Sequence, residues 1–332
     1  MAEVRWGVIG TGGIAARFAA DAALLPDAPV VAVASRRAGG AQACAERFGV
    51  EHRFEGPDAY RELAQSPLVD AVYVATPHPF HAEHGLLAIA AGKHVLIEKP
   101  FAMDAAQAAD LAAAAADAGV FAMEAMWTRF LPHMVRIQEL LDDGALGTVQ
   151  LVHADQGMWF EPDPGHRLFA PELGGGALLD LGIYPFSFAS MVLGTPEQVL
   201  ASSTAAMTGV DLTTSAVLRY PSGAHAVLTC SAAASSPMRA FIAGTEGRIE
   251  IEPRWYSNAG FRLIRRDGED ETFEAPEGIS GPVAKGMRFE IAEAGRCISA
   301  GLTQSPVMPL DETVSILATL DDVRRQIGLV YE

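Results

Sequence analysis

The sequence predicts an α/β protein: a doubly wound parallel sheet over residues 1–125, then an α+β domain with a mostly antiparallel sheet over 126–332. Three observations predict it. Short apolar runs alternate with helix-like stretches through the first part, and such alternation implies right-handed crossovers and a parallel sheet. A glycine-rich turn, Gly10-Thr11-Gly12-Gly13, stands between the first apolar run and the first helical stretch. Beyond Gly147 the pattern becomes short alternating segments punctuated by Gly, Pro and Asn, the texture of an antiparallel sheet.

Taken in order, Arg5–Ile9 reads as a strand, Ile14–Leu24 as a helix, Val30–Ser35 as a strand and Gly40–Phe48 as a helix. Ala71–Ala75 is the next strand, His81–Ala91 a helix closed by Gly92, and His94–Ile97 a strand. Asp104-Ala-Ala-Gln107 is a capping-box pattern that opens an alanine-rich helix ending at Gly119, and Val120–Met123 is a further strand. Pro132 suits the first turn of a helix running to about Asp142. Thr148–Trp159 reads as extended and Ala177–Leu193 as one helix. Gln198–Ala205, Thr213–Tyr220, Ala224–Ser231, Arg239–Gly244 and Arg248–Glu252 read as strands, and Met287–Ser299 and Asp311–Ile327 as closing helices.

At 332 residues the chain suits two domains of ~150 residues each. Half of it is hydrophobic and 20% is charged, enough for sizeable cores. A net charge of −17 repels phosphate backbones and anionic lipid, so neither nucleic acid nor a membrane is an expected partner. An anionic cofactor would need a local positive patch. Cys44, Cys230 and Cys297 are few and far apart, with no disulfide framework, which fits a reducing, cytoplasmic setting. The apolar strand Val4–Ile9 leaves no room for a signal peptide, and no apolar run is expected to reach the ~18 residues of a membrane span.

Within Gly10-Thr11-Gly12-Gly13-Ile14-Ala15 lies the spacing Gly10-x-Gly12-x-x-Ala15, placed between a strand and a helix as a dinucleotide fingerprint requires. Gly10 permits the tight turn, Gly12 the close approach of a pyrophosphate, and Ala15 close helix–strand packing. The alternative is a glycine turn that binds nothing. An NAD site usually carries an acidic residue ~20 positions further on. Here the second strand runs into Ser35-Arg36-Arg37. A hydroxyl and two guanidinium groups suit a 2′-phosphate, so NADP is expected, with NAD possible. A solvated arginine loop is the alternative.

Of 24 Lys plus Arg, only Lys93, Lys99 and Lys285 are lysine. Lys99 stands where the apolar strand His94-Val95-Leu96-Ile97 gives way to a loop, where α/β enzymes place working groups. Lysine, unlike arginine, can shift its pKa and trade a proton. Its bland alternative is a surface cation at a strand end. The blocks Ala75-Thr76-Pro77-x-x-x-His81 and Ala91-Gly92-Lys93-His94-Val95-Leu96-Ile97-Glu98-Lys99-Pro100 resemble the Gfo/Idh/MocA oxidoreductases, over essentially the whole chain. That resemblance implies an N-terminal Rossmann domain and a C-terminal sheet domain. It makes Lys99 the catalytic lysine, adds Thr76, Pro77, His81 and Glu98 to the cofactor side, and often brings a cis bond before Pro100.

The second expected half of the site is Gly174-Gly175-Gly176-Ala177-Leu178-Leu179-Asp180-Leu181-Gly182-Ile183-Tyr184-Pro185. Asp180 and Tyr184 share one face if this stretch is helical. Many family members carry histidine where this chain has Tyr184, so the resemblance narrows to the dimeric dihydrodiol dehydrogenases and glucose–fructose oxidoreductases. It implies that Tyr184 moves the proton and that Lys99 supplies the charge a phenol of pKa ~10 needs near neutrality. It further implies that Asp180 orients Lys99 or the substrate hydroxyl, that Trp127 shapes the pocket, and that Arg129 and Arg167 lie near it. For Trp127 and Phe130 the alternative is plain core. The subgroup also implies a homodimer through the sheet face of the second domain.

His78, His81 and His84 are not expected to hold a metal, because Pro79 breaks the helical spacing that converges ligands. The reading is an NADP-dependent oxidoreductase moving a hydride between the cofactor and a secondary alcohol or carbonyl of a sugar, cyclic polyol or trans-dihydrodiol. The alternatives are a non-catalytic nucleotide-binding sensor, and an enzyme with tightly held cofactor cycling between two sugars.

Overall fold

The structure is a computed structural model that describes residues 2–279 and 286–331; Lys285 lies outside the described residues. The chain forms two compact units, Met1–Phe130 with Gly278–Val314, and Leu131–Glu277 with Ser315–Glu332.

In the first unit, β1 (Trp6–Ile9), α1 (Gly13–Ala22), β2 (Val30–Ser35), α2 (Gly40–Phe48), β3 (His52–Glu55), α3 (Ala59–Gln65), β4 (Ala71–Val74), α4 (His81–Ala90), β5 (His94–Glu98), α5 (Ala105–Ala118) and β6 (Ala122–Ala125) alternate. The sheet order is β3-β2-β1-β4-β5-β6, all parallel, so the order reverses beside β1. Every residue of β1 and β4 is buried, as strands covered on both faces must be. β3 and α3 were not expected. His52-Arg53-Phe54-Glu55 is a half-exposed edge strand whose polar residues hide the strand signal. β6 starts two residues late because the Phe121 amide donates to His94 Nδ1 at 2.9 Å. At α5, Asp104 Oδ1 accepts the Gln107 amide at 2.8 Å, and Gln107 Oε1 reaches back to the Met103 amide at 3.4 Å.

The second unit opens with α6 (Pro132–Asp142) and β7 (Val149–Gly157). A π-helical turn over Leu178–Gly182 runs into α7 (Ile183–Leu193). The strands β8 (Gln198–Ala205), β9 (Asp211–Arg219), β10 (His225–Ser231), β11 (Ala240–Gly244), β12 (Gly247–Ile251), β13 (Phe261–Arg265) and β14 (Glu271–Phe273) follow. They form an eight-stranded sheet in the order β14-β13-β12-β11-β7-β10-β9-β8, antiparallel except where β7 meets β10. β13 and β14 escaped the sequence reading, because the charged turn Arg266-Asp267-Gly268-Glu269-Asp270 between them reads as loop. α7 packs on β7 and β10 and carries the core contact Phe188–Trp255, ring centroids 5.0 Å apart.

The remaining helices are α8 (Met287–Ser299) and α9 (Leu310–Ile327). α8 belongs to the first unit, where it packs on α1 and its Arg288 amide donates to Asp21 Oδ2 at 3.1 Å. One expectation is corrected: by length and composition the stretch Pro171–Leu193 is apolar enough to cross a membrane. Most of it is buried inside the protein, so its apolarity serves the core of the second unit.

Candidate active site

The glycine loop after β1 is shaped by need. Gly10 has φ +99°, and a Cβ there would sit 2.7 Å from the Ala75 carbonyl, so no other residue fits. Gly12 is the N-cap of α1, and no side chain caps that helix. A Cβ on Gly12 or Gly13 would meet nothing within 4 Å. Gly12 and Gly13 are exposed, so the positive end of α1 lies at an open surface. That fits an anionic pyrophosphate. Ala15 beneath them is fully buried.

At the end of β2, Ser35 is buried, accepts the Arg37 amide at 3.2 Å and lies 3.5 Å from the Thr11 hydroxyl. The Arg36 guanidinium lies over the rings of Tyr60 and Phe80, 5.3 and 5.1 Å from their centroids, while Arg37 is exposed. Stacking holds Arg36 at the strand end without using up its hydrogen-bonding edge.

The β5 terminus is braced on several sides. Glu98 is buried and accepts from the Tyr73 hydroxyl and, at 3.2 Å, from the Lys99 amide. The Lys99–Pro100 bond is cis. His81, at the start of α4, is fully buried with Nδ1 2.7 Å from the Pro100 carbonyl and Nε2 2.7 Å from the Thr76 carbonyl. Burial pushes its pKa down and the Lys99 charge adds to that, while the two carbonyls pull the other way. The ring ties Thr76, just past β4, to Pro100, just past β5. Thr76 Oγ1 lies 3.0 Å from His84 Nδ1, and burial, with Arg36 nearby, brings His84 down to about 4. From β6, buried Glu124 accepts the Phe101 amide at 3.0 Å. Burial pushes Glu124 up to about 7, opposed by that amide and by Arg129. Among the described residues, no group of three His, Cys, Asp or Glu could hold a metal ion.

In the second unit, Arg167 donates from Nη1 and Nη2 to the two oxygens of Asp180, at 3.2 and 3.0 Å. Asp180 is thus paired with Arg167. The Tyr184 ring lies near that of Tyr256, centroids 5.2 Å apart. Trp127 is half-buried, whereas Phe130 is core. Arg129, expected beside the substrate, is buried with Nη2 2.5 Å from Glu312 Oε1, an ion pair within the first unit. Sequence reasoning gave no role to Glu124, although it heads the stretch that carries Trp127 and Arg129, and it missed Asp211 and Tyr331, which accept the Leu178 amide and donate to the Gly175 carbonyl. No local pattern marks those two residues.

The fold and its glycine cradle define a dinucleotide-binding oxidoreductase. Residues 4–126 match the oxidoreductase family with NAD-binding Rossmann fold, and residues 134–250 match the GFO/IDH/MocA C-terminal domain. The chain belongs to the Gfo/Idh/MocA oxidoreductases and is an NAD(P)-dependent dehydrogenase or reductase. It is 37% identical over 335 residues to trans-1,2-dihydrobenzene-1,2-diol dehydrogenase of Mus musculus, covering 99% of this chain and 98% of the relative. Among solved structures it is similar to an aldose–aldose oxidoreductase of Caulobacter crescentus (TM-score 0.87, 27% identity, 98% of each chain covered). It is also similar to a 3-ketoreductase of Actinomadura kijaniata in complex with NADP (TM-score 0.84, 29% identity, 98% of each chain covered).

Proposed function

We propose that this enzyme moves a hydride between NADP(H) and a secondary alcohol or carbonyl of a trans-dihydrodiol, sugar or cyclic polyol. The full-length likeness to the mouse trans-1,2-dihydrobenzene-1,2-diol dehydrogenase carries the reading. The pyrophosphate would lie on the open N-terminus of α1, against Gly10, Thr11, Gly12, Gly13 and Ile14. Ser35, Arg36 and Arg37 would take the 2′-phosphate, whose charge two guanidinium groups match. Thr76, Pro77 and Glu98 would line the nicotinamide side, and His81, fully buried on the Thr76 and Pro100 carbonyls, would brace it from behind. The nicotinamide ring, when bound, takes or gives the hydride.

The chain's own residues handle the proton. Tyr184 takes it from the alcohol oxygen in oxidation and returns it in reduction, and Lys99 supplies positive charge. Asp180, set by Arg167, and Trp127 bind the substrate. Arg129 supports the first unit through Glu312. The protein acts as a homodimer through the outer face of the second sheet, where Leu200 and Val217 are 59% and 39% exposed on β8 and β9. An absorbance screen at 340 nm with dihydrodiols, sugars and inositols, using both cofactors, tests the reading. Turnover with none of them would turn it toward a nucleotide-binding sensor.

A second reading is favoured by the likeness to the aldose–aldose oxidoreductase. A tightly held cofactor would cycle between two sugars without leaving. NADP(H) co-purifying in stoichiometric amount, with turnover of sugar pairs and no added cofactor, would favour it.

A further inference from the structure

The run Gly174-Gly175-Gly176 ahead of Asp180 and Tyr184 is held by contacts that no part of the proposed chemistry uses. The Gly176 amide donates to the Leu168 carbonyl at 2.7 Å and the Gly175 amide to the Ala170 carbonyl at 3.0 Å. These bonds stitch the loop to the segment that follows Arg167. A Cβ on Gly175 would sit within 2.9 Å of the carbonyl oxygens of Arg167, Leu168 and Ala170, so the two strands of backbone are in contact.

Two further side chains close on the same loop. Asp211, 3% exposed at the start of β9, accepts the Leu178 amide at 2.8 Å and the Thr214 hydroxyl at 2.8 Å, both at Oδ2. It thereby caps the π-helical turn from a different element. The other oxygen, Oδ1, has no hydrogen-bond partner and lies where a Gly176 side chain would be, 2.2 Å from an ideal Cβ. Gly176 has φ +114°, so the loop accepts no side chain here on two counts. From the segment after α9, the Tyr331 hydroxyl donates to the Gly175 carbonyl at 2.6 Å. The Arg324 guanidinium lies over the Tyr331 ring, 5.5 Å from its centroid.

We propose that Asp211 and Tyr331 are positioning residues that clamp the Gly174–Gly176 loop and so fix the aim of Asp180 and Tyr184. The consequence for catalysis rests on the function proposed above. Neither residue touches the reacting atoms in this reading. Each acts through the loop, which sets the register between Arg167 and Asp180 and the start of the helix that carries Tyr184. A helix that starts on a π turn has its next side chains rotated from α-helical register, so a small slip at Leu178 re-aims both residues. Burial raises the Asp211 carboxyl to about 6, opposed by Thr214 and the Leu178 amide; Cys230, buried on β10, and Tyr331 also face it.

The test uses the full chain with Tyr331→Phe, Asp211→Ala and Asp211→Asn. Tyr331→Phe removes one hydrogen bond and should lower kcat roughly 3- to 10-fold, the usual worth of such a bond. Asp211→Ala removes two acceptor contacts and should lower it more, while Asp211→Asn, whose amide oxygen still accepts, should restore most of it. KM and the dissociation constant for NADPH, read by fluorescence, should stay near the unaltered values. Independently of turnover, hydrogen exchange over residues 174–184 should speed up in Tyr331→Phe and Asp211→Ala and not in Asp211→Asn. Unchanged exchange there in Tyr331→Phe and Asp211→Ala would overturn the clamp, as would a loss confined to KM. If no substrate is turned over by the unaltered protein, the proposed function falls and the exchange result alone decides the clamp.

Discussion

Arg167 holds Asp180 through two parallel hydrogen bonds, 3.2 and 3.0 Å, from a guanidinium that is 55% exposed to a carboxylate that is 7% exposed. The acidic side chain expected to orient Lys99 or a substrate hydroxyl is one end of a fork-to-fork pair. The pair predicts coupling. Arg167→Met and Asp180→Asn should each lower turnover, and the double variant should be little worse than the poorer single one. Because Arg167 is more than half exposed, solvent screening limits the coupling to about 1 kcal/mol. Fully additive losses in kcat/KM would show that the two residues act separately.

The proposed preference for NADP rests on the β2 end. Replacing Arg36 and Arg37 together by Ala should raise the NADP Michaelis constant and leave that for NAD little changed. Arg36 is held between Tyr60 and Phe80, so Arg36→Ala alone should account for more of the loss than Arg37→Ala. Equal use of NAD and NADP by the unaltered protein would remove the basis of this prediction.

The proton path predicts a division between Tyr184 and Lys99. Tyr184→Phe should lower turnover by ~10²–10⁴, the worth of a general acid–base group, and flatten the rise of the oxidation rate with pH. Lys99→Met should be at least as damaging, with cofactor binding preserved in both. Near-normal turnover in Tyr184→Phe beside an inactive Lys99→Met would assign the proton transfer to Lys99 itself.

Stability should carry the mark of Glu124. Its folded pKa, about 7, lies above its ordinary value of 4.5, chiefly through burial. The folded state therefore holds the proton more tightly than the unfolded one. The stability this contributes is fully present below pH 4.5 and is lost as pH rises through about 7. Glu124→Gln keeps an acceptor for the Phe101 amide and cannot ionise. Between pH 5 and pH 8 its denaturant stability should gain on that of the unaltered protein, by on the order of 2–3 kcal/mol. A difference that does not change with pH would mean that Glu124 is not protonated in the folded chain.

Metal dependence is expected to be absent. His81 is committed to two backbone carbonyls and His84 to Thr76. Activity should survive prolonged EDTA, and elemental analysis should find no stoichiometric zinc. Activity lost to the chelator and restored by a divalent ion would overturn this.

Much of the first unit was legible in the sequence, because its signals are local. The Gly10-x-Gly12-x-x-Ala15 spacing, the apolar runs of the buried strands and the Asp104–Gln107 cap all act over a few residues of chain. The Glu98-Lys99-Pro100 terminus could be picked out the same way, since a strand end in a parallel sheet is set by strand order and length. β3, α3, β13 and β14 were not legible. β3 and β14 are short edge strands with no fully buried residue, and α3 and β13, though they bury residues at regular spacing, span only seven and five residues between charged neighbours. Which partner each charged group takes was decided only by tertiary structure. Asp180 pairs with Arg167, Arg129 with Glu312, Asp211 with the Leu178 amide 33 residues away, and Tyr331 with the Gly175 carbonyl 156 residues away in sequence. A buried polar group must find a partner wherever the fold supplies one, and nothing in its own neighbourhood of the chain records which one that is.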